Sequence, residues 1–306
     1  MRDVEVDELP RRALEALRNK GVMPHRELRD GLIFSVDARD FMSTVRDGSA
    51  DVVFLDPPFN LGKRYGSSPR SGDQLEEEEY LELLSSMVEE SVRVLRPGGA
   101  LYVYHLPAWA IRIGGMLEGV LDFCHWIAVS MKGSYPYGGR LYPAHYALLH
   151  YSKGVPRVFR RPKIPPATCR HCGGLVKDYG GYLEYVSSEG LNLSDVWDDL
   201  SPVRHRRNKS RPGNELPLPL LRRVVRISGD RGGLLVDPFA GAGTSLVAAR
   251  EIGMEFIACD REEECCDAMV ERLKGVGPVE RVGPGDSAGL ENDGMGASEE
   301  REEVAK

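Results

Sequence analysis

Leu234-Leu235-Val236-Asp237-Pro238-Phe239-Ala240-Gly241-Ala242-Gly243-Thr244 is the stretch whose reading sets the fold. Three apolar residues read as a buried strand, an acid stands at its carboxyl end, and small residues lead into a helical pattern from Thr244 to Ile252. Small residues at a helix N-terminus let a ligand approach the backbone closely. A plain strand-to-helix connection would use the same residues, but the next strand, Glu255 to Cys259, is followed by a second acid. That acid, Asp260, is placed to accept hydrogen bonds from ribose hydroxyls. The turn has neither a Gly-Lys-Ser/Thr phosphate loop nor dinucleotide spacing, so the expected ligand is a nucleoside without a pyrophosphate.

Nearer the N-terminus the same arrangement recurs: Val52-Val53-Phe54-Leu55 reads as a buried strand and runs into Asp56-Pro57-Pro58-Phe59. Two prolines fix φ and remove two backbone donors, leaving carbonyl oxygens free to accept. An exocyclic amine on a nucleobase is a poor nucleophile because its lone pair is delocalised into the ring. Acceptors on both amine hydrogens, Asp56 and the Pro57 carbonyl, pull that nitrogen toward tetrahedral geometry, and Phe59 offers a face for an extruded base. A Pro-rich exit from a strand is the plainer alternative. Together the two segments point to methyl transfer onto a base.

Around them the chain alternates strand and helix. Leu32 to Val36 reads as a strand, Arg39 to Val45 as a short helix, and Leu75 to Leu95 as a long helix that Pro97-Gly98-Gly99 stops before a strand at Ala100 to Tyr104. A helix from Ala108 to Leu121 and strands at Trp126 to Ser130 and Tyr146 to Tyr151 follow, then a helix from Pro217 to Ile227 and another from Glu263 to Leu273. This is an α/β pattern, a Rossmann-like, doubly wound and mostly parallel sheet, interrupted by an irregular insertion. The expected division is a charged lead-in over 1–25, a catalytic half over 26–152, a basic insertion over 153–211, a cofactor half over 212–274 and a mobile acidic tail over 275–306.

The chain of 306 residues is 42% hydrophobic, enough for a large core, and carries a formal charge of -7. The charge is uneven: residues 151–230 hold 15 Lys/Arg against 8 Asp/Glu, which is how a phosphate-contacting segment inside an acidic protein reads. No apolar run is long enough to span a bilayer and no signal peptide is evident, so a cytoplasmic protein with no membrane partner is expected. Six cysteines, two of them adjacent, do not form a disulfide framework in a chain of this size.

The order and spacing of these pieces, from Ile33 to about Leu273, resemble the S-adenosylmethionine-dependent amino-methyltransferases of DNA, in the permuted beta-class arrangement where the catalytic segment precedes the cofactor turn. The resemblance implies S-adenosylmethionine as cofactor and double-stranded DNA as partner, with base flipping. It implies catalytic roles for Asp56, Pro57, Pro58 and Phe59. It implies cofactor contacts from Asp37, Asp56, Asp237, Pro238, Phe239, Ala240, Gly241, Gly243, Thr244 and Asp260. Pro217-Leu218-Pro219-Leu220-Leu221, after Asn214-Glu215, resembles the family's helix before the cofactor turn. An Asp at the head of the catalytic segment is the family's usual form for adenine N6 and Ser for cytosine N4, so adenine is expected, with cytosine as the alternative. An RNA base methyltransferase and an inactive nucleic-acid-binding subunit are the remaining alternatives. A homodimer and a cognate restriction endonuclease are further partners that the resemblance admits.

The insertion sits where the family has its target-recognition region. Arg204, Arg206, Arg207, Lys209 and Arg211 supply guanidinium and ammonium groups for phosphates or purine edges. Tyr179, Tyr182, Tyr185 and Trp197 can stack on bases or serve as local core. Cys169-Arg170-His171-Cys172-Gly173-Gly174 has the form of a zinc knuckle, yet no second Cys pair follows, so the expectation is an unmetallated turn, with zinc and a reducible local disulfide as the alternatives.

Overall fold

A computed structural model of the chain describes residues 9–18, 21–61, 75–130, 139, 141, 143–169, 171–175, 179–181, 190–200 and 215–277. Two compact units are present, one from Lys163 to Asn192 and one made of the remaining described chain.

The larger unit is built on a nine-stranded sheet. Its strands are β1 (Arg26–Leu28), β2 (Gly31–Ser35), β3 (Ala50–Leu55), β4 (Leu95–His105), β5 (Asp122–Ser130), β6 (His145–Ser152), β9 (Val196–Trp197), β10 (Leu234–Asp237) and β11 (Glu255–Asp260). Their spatial order is β1-β2-β11-β10-β3-β4-β6-β5-β9. From β2 through β11, β10 and β3 to β4 every neighbouring pair is parallel, whereas β6 runs antiparallel to both β4 and β5. The helices are α1 (Arg11–Glu15), α2 (Ala38–Thr44), α3 (Glu77–Val94), α4 (Pro107–Leu117), α5 (Leu218–Ser228), α6 (Thr244–Glu251) and α7 (Glu263–Lys274).

Central parallel strands are apolar along most of their length because both faces are covered, with Asp51 in β3 and Asp237 at the end of β10 as buried exceptions. Alternate residues enter two cores: Val53, Leu55, Leu234, Val236 and Ile257 pack with α2, α3 and α4, while Val52, Phe54, Leu235, Phe256 and Ala258 pack with α5, α6 and α7. Each such side chain, fully withdrawn from water, contributes roughly 1.5–3 kcal/mol. The expected doubly wound α/β sheet is therefore what forms. Helix α3 buries Tyr80, Leu84, Met87, Val88, Ser91 and Val94 as one stripe, with Glu77, Glu78 and Glu79 in its first turn, where the helix dipole favours acids.

Two boundaries differ from the sequence reading. The Pro97-Gly98-Gly99 segment lies inside β4 rather than before it: Ala50 pairs with Leu95 and Val52 with Ala100, so a bulge absorbs the extra residues. Gly98 has φ +76°, and a Cβ there would lie 2.8 Å from the Val155 carbonyl, so glycine suits the kink. Strand β5 begins at Asp122, four residues before Trp126, because its early part pairs with the far end of β6 and stays half exposed.

The direction in which successive strands are added to the sheet reverses between the parallel neighbours β3 and β10. Strand β3 continues through α3 to β4 on one side, and β10 continues through α6 to β11 on the other, although the two strands are hydrogen-bonded neighbours in register Val53 to Val236. Such a switch point leaves a crevice at the carboxyl ends, where open α/β sheets bind their ligands.

Candidate active site

Four neighbouring strands each end on a carboxylic acid. In sheet order these are Asp37 just beyond β2, Asp260 closing β11, Asp237 closing β10 and Asp56 just beyond β3. The two segments singled out by sequence thus meet at the switch point, and the charge of Asp237 acts on Asp56.

On the β10 side the acids organise the backbone. Buried Asp237 accepts from the Phe239 N–H through Oδ1 at 3.0 Å and from the Ser245 hydroxyl through Oδ2. Desolvation raises its carboxyl to about 7, these two hydrogen bonds oppose the rise, and the charge of Asp260 adds to it. Asp260 accepts from the Gly241 N–H at 3.2 Å and the Glu262 N–H at 2.9 Å, and its carboxyl is likewise raised by burial. Gly243 caps α6 at φ +74°, where a Cβ would come within 3.0 Å of Met269 Cγ. Arg272 ties the turn from below: its guanidinium donates to Thr244 Oγ1 at 3.0 Å and pairs with Glu215 at 2.5 Å. Asp37 is exposed and caps α2, accepting from the Arg39 N–H at 2.9 Å.

On the β3 side the rigidity lies behind the acid. His105 Nδ1 accepts from the Leu106 N–H at 2.7 Å, so Nε2 carries the ring proton and donates to the Tyr80 hydroxyl at 2.6 Å. Tyr80 in turn donates to the Pro58 carbonyl. Burial lowers the His105 pKa to about 3, which keeps the ring neutral and this direction of donation fixed. Phe59 stacks on His105 with centroids 4.9 Å apart and also meets Tyr146 at 5.7 Å and Tyr104 at 6.1 Å. Asn60, at φ +54°, closes the segment with two hydrogen bonds to the Leu75 backbone, 2.8 and 3.0 Å. Among the described residues no donor reaches the Asp56 carboxylate. Desolvation first, then Asp237, raise the Asp56 carboxyl well above its ordinary range; burial likewise raises the Tyr104 and Tyr146 hydroxyls, and the Asp56 charge adds to it.

Tyr80, Tyr104, His105, Tyr146, Asn60 and Arg272 were not singled out from sequence. A signal existed for two of them: Tyr104 and His105 close β4, the neighbour of β3, and the rule that sites gather at carboxyl ends applies to them as it does to Asp56. Arg204, Arg206, Arg207, Lys209 and Arg211 lie outside the described residues, as do Tyr182 and Tyr185. Trp197, read as core or stacking residue, is core, 1% exposed, with Arg223 over its ring at 5.2 Å. Part of the basic excess is also internal, since Arg160, Arg222 and Arg223 pair with Asp230, Glu251 and Asp199. A cleft of about 520 Å³ beside Gly119, Asp122 and Phe123 lies at the α4–β5 turn, away from these acids.

Residues 50–271 match the family model of N6/N4-type DNA methylases. The chain belongs to this family. Among curated DNA methylases, the Type II methyltransferase M.BamHI of Bacillus amyloliquefaciens is 40% identical over 245 residues, 80% of this chain and 57% of that protein. The chain thus spans little more than half the length of that relative. M.HpaI of Haemophilus parainfluenzae is 27% identical over 239 residues, covering 76% of this chain and 70% of that one. Among solved structures, the cytosine-N4-specific PvuII DNA methyltransferase matches with a TM-score of 0.58 at 15% identity, over 80% of this chain and 86% of that one. The M1.HpyAVI–SAM complex matches at 0.53 and 17%, over 79% and 98%. At these identities the solved structures bear on the fold alone. Among the described residues no helix is long and apolar enough to cross a membrane.

Proposed function

We propose that this chain transfers a methyl group from S-adenosylmethionine to the exocyclic N6 amine of adenine in double-stranded DNA. The observation that carries the proposal is the pairing of β3 with β10 at the switch point, which sets Asp56 beside the Asp237 turn. The donor set fits the ligand: a carboxylate-rich edge suits a cationic sulfonium and would repel a pyrophosphate. The turn from Pro238 to Thr244 takes the adenosine, and Asp260, whose oxygens each retain acceptor capacity, takes the ribose hydroxyls. Bound there, S-adenosylmethionine supplies an electrophilic methyl whose bond to sulfur breaks as the new bond to nitrogen forms.

The chain's own residues position the acceptor. A base extruded from the duplex stacks on Phe59, flanked by Tyr104 and Tyr146. The Pro58 carbonyl is already engaged by Tyr80, so the Asp56 carboxylate and the Pro57 carbonyl are the acceptors left for the two amine hydrogens. They aim the nitrogen lone pair at the methyl, and the proton of the methylated amine leaves through Asp56 or water. Duplex DNA is the proposed substrate, and an endonuclease of the same specificity the proposed functional partner.

Cytosine N4 is the second reading, because this grip contacts only a planar amine that cytosine also carries. Methylating plasmid DNA with labelled S-adenosylmethionine, digesting it to nucleosides and identifying the labelled species tests both. Labelled N6-methyladenine supports the proposal, labelled N4-methylcytosine moves it to the second reading, and absence of transfer with no S-adenosylmethionine binding by calorimetry refutes it.

A further inference from the structure

The unit from Lys163 to Asn192 pairs its ends: β7 (Lys163–Ile164) and β8 (Leu191–Asn192) are antiparallel, and an isolated bridge joins Thr168 to Leu175. None of its described residues is buried. Segments below about 40 residues rarely stand on apolar burial and are usually held by a disulfide, a metal or a partner. The described residues of this unit supply no apolar core of their own.

The bridged turn holds Cys169 and Cys172. The Cys169 N–H donates to the Gly174 carbonyl at 2.7 Å, and the Gly173 N–H donates to the Cys169 carbonyl at 2.8 Å, with Gly173 at φ +70°. The turn packs tightly on the second cysteine, since a Cβ on Gly174 would lie 3.4 Å from the Cys172 sulfur. A Cys-x-x-Cys turn closed by these backbone hydrogen bonds has the form of one half of a zinc knuckle. A disulfide between them would close a loop of only four residues, which removes little freedom from the unfolded chain and leaves β7 and β8 without support. A cation that gathers further ligands does not share that limit.

We propose that Cys169 and Cys172 are two ligands of a structural Zn²⁺ that holds this unit together. Each thiol gives up its proton as it binds. Structural zinc takes four ligands, and among the described residues no third His, Cys, Asp or Glu joins the pair. The remaining two therefore come from elsewhere in the same chain or from the same turn of a second copy, which would complete a four-thiolate site across a two-fold axis. The proposal is independent of the reading of the active site.

The test measures zinc in the full-length protein, purified without chelator, by elemental analysis alongside native mass spectrometry. One zinc per chain in a monomer, or one per two chains in a dimer that chelator dissociates, each supports the site and names the source of the other ligands. Cys172→Ser should lose at least nine-tenths of the metal, whereas Cys124→Ser should keep it. Because the serine variant can fail to fold, the wild-type protein is also loaded with Co²⁺, which should give the intense near-ultraviolet thiolate-to-cobalt band. Zinc-free protein that takes up none on dialysis, metal retained by Cys172→Ser, or cobalt without that band would each overturn the proposal.

Discussion

The two halves of the carboxylate edge handle their acids in opposite ways. On β10 and β11, both Asp237 oxygens and both Asp260 oxygens accept hydrogen bonds, from the turns that follow these strands and from the first turn of α6. On β3, Asp56 receives none among the described residues, while the segment around it is fixed from behind by Tyr80, His105 and Asn60. One half uses charge to hold a shape. The other uses shape to hold a carboxyl whose acceptor sites stay open. A half-buried, largely desolvated carboxylate without donors is costly to keep ionised, so its open valence is where a ligand's N–H groups gain most.

The sharpest way to break this comparison is Asp56→Ala. Transfer to DNA should fall by about 10³-fold or more, since both orientation and proton acceptance go together. The dissociation constant for S-adenosylmethionine, read by calorimetry, should change little. Loss of cofactor binding to the same extent would show that the halves are not separate in function. The counterpart on the other half is Gly243→Ala, which forces a left-handed φ on alanine and drives a Cβ toward Met269, a strain of roughly 1–2 kcal/mol. Its expected signature is the reverse: S-adenosylmethionine binding about tenfold weaker, with near-normal turnover once the cofactor saturates.

Tyr80→Phe sharpens the comparison further. Removing the hydroxyl frees the Pro58 carbonyl and leaves His105 Nε2–H without an acceptor, but takes nothing from the site directly. A loss of about tenfold in kcat is expected, with KM for S-adenosylmethionine unchanged, consistent with one misplaced acceptor. If thermal stability falls and kcat does not, the chain of hydrogen bonds is structural only.

That chain was the least legible part of the molecule. The strands, their ends and both acidic segments could be read because buried parallel strands leave continuous apolar runs, and turns leave Pro and Gly. Tyr80 is an ordinary core position of an amphipathic helix by its spacing, and only the fold carries it 22 residues back to Pro58. Pro97-Gly98-Gly99 misled for the converse reason: its local chemistry says turn, while pairing with β3 on one side and β6 on the other keeps it in the sheet. Arg222 and Arg223 count toward a basic segment in sequence, but the α5 surface on which they sit faces Glu251 and Asp199. Charge tallies see composition and not direction.

The smallest effect expected is that of pH on the β10 half. Asp237 has a folded pKa near 7 against an ordinary value of 3.8, so between those values the folded protein binds the extra proton. A group shifted upward contributes stability that is fully present below its unfolded pKa and is lost as pH rises through its folded one. The wild-type protein should therefore lose stability relative to Asp237→Asn between about pH 4 and pH 7 and level off above, a relative shift on the order of several °C in melting temperature. A bound sulfonium, carrying the opposite charge, favours the ionised carboxyl, so it should depress this pKa and bind more tightly as pH rises over the same interval. Melting curves of both proteins at several pH values, with and without S-adenosylmethionine, read the two trends together. If the cofactor leaves the pH dependence untouched, the charge on Asp237 is sealed off from the site, and the turn contributes its shape alone.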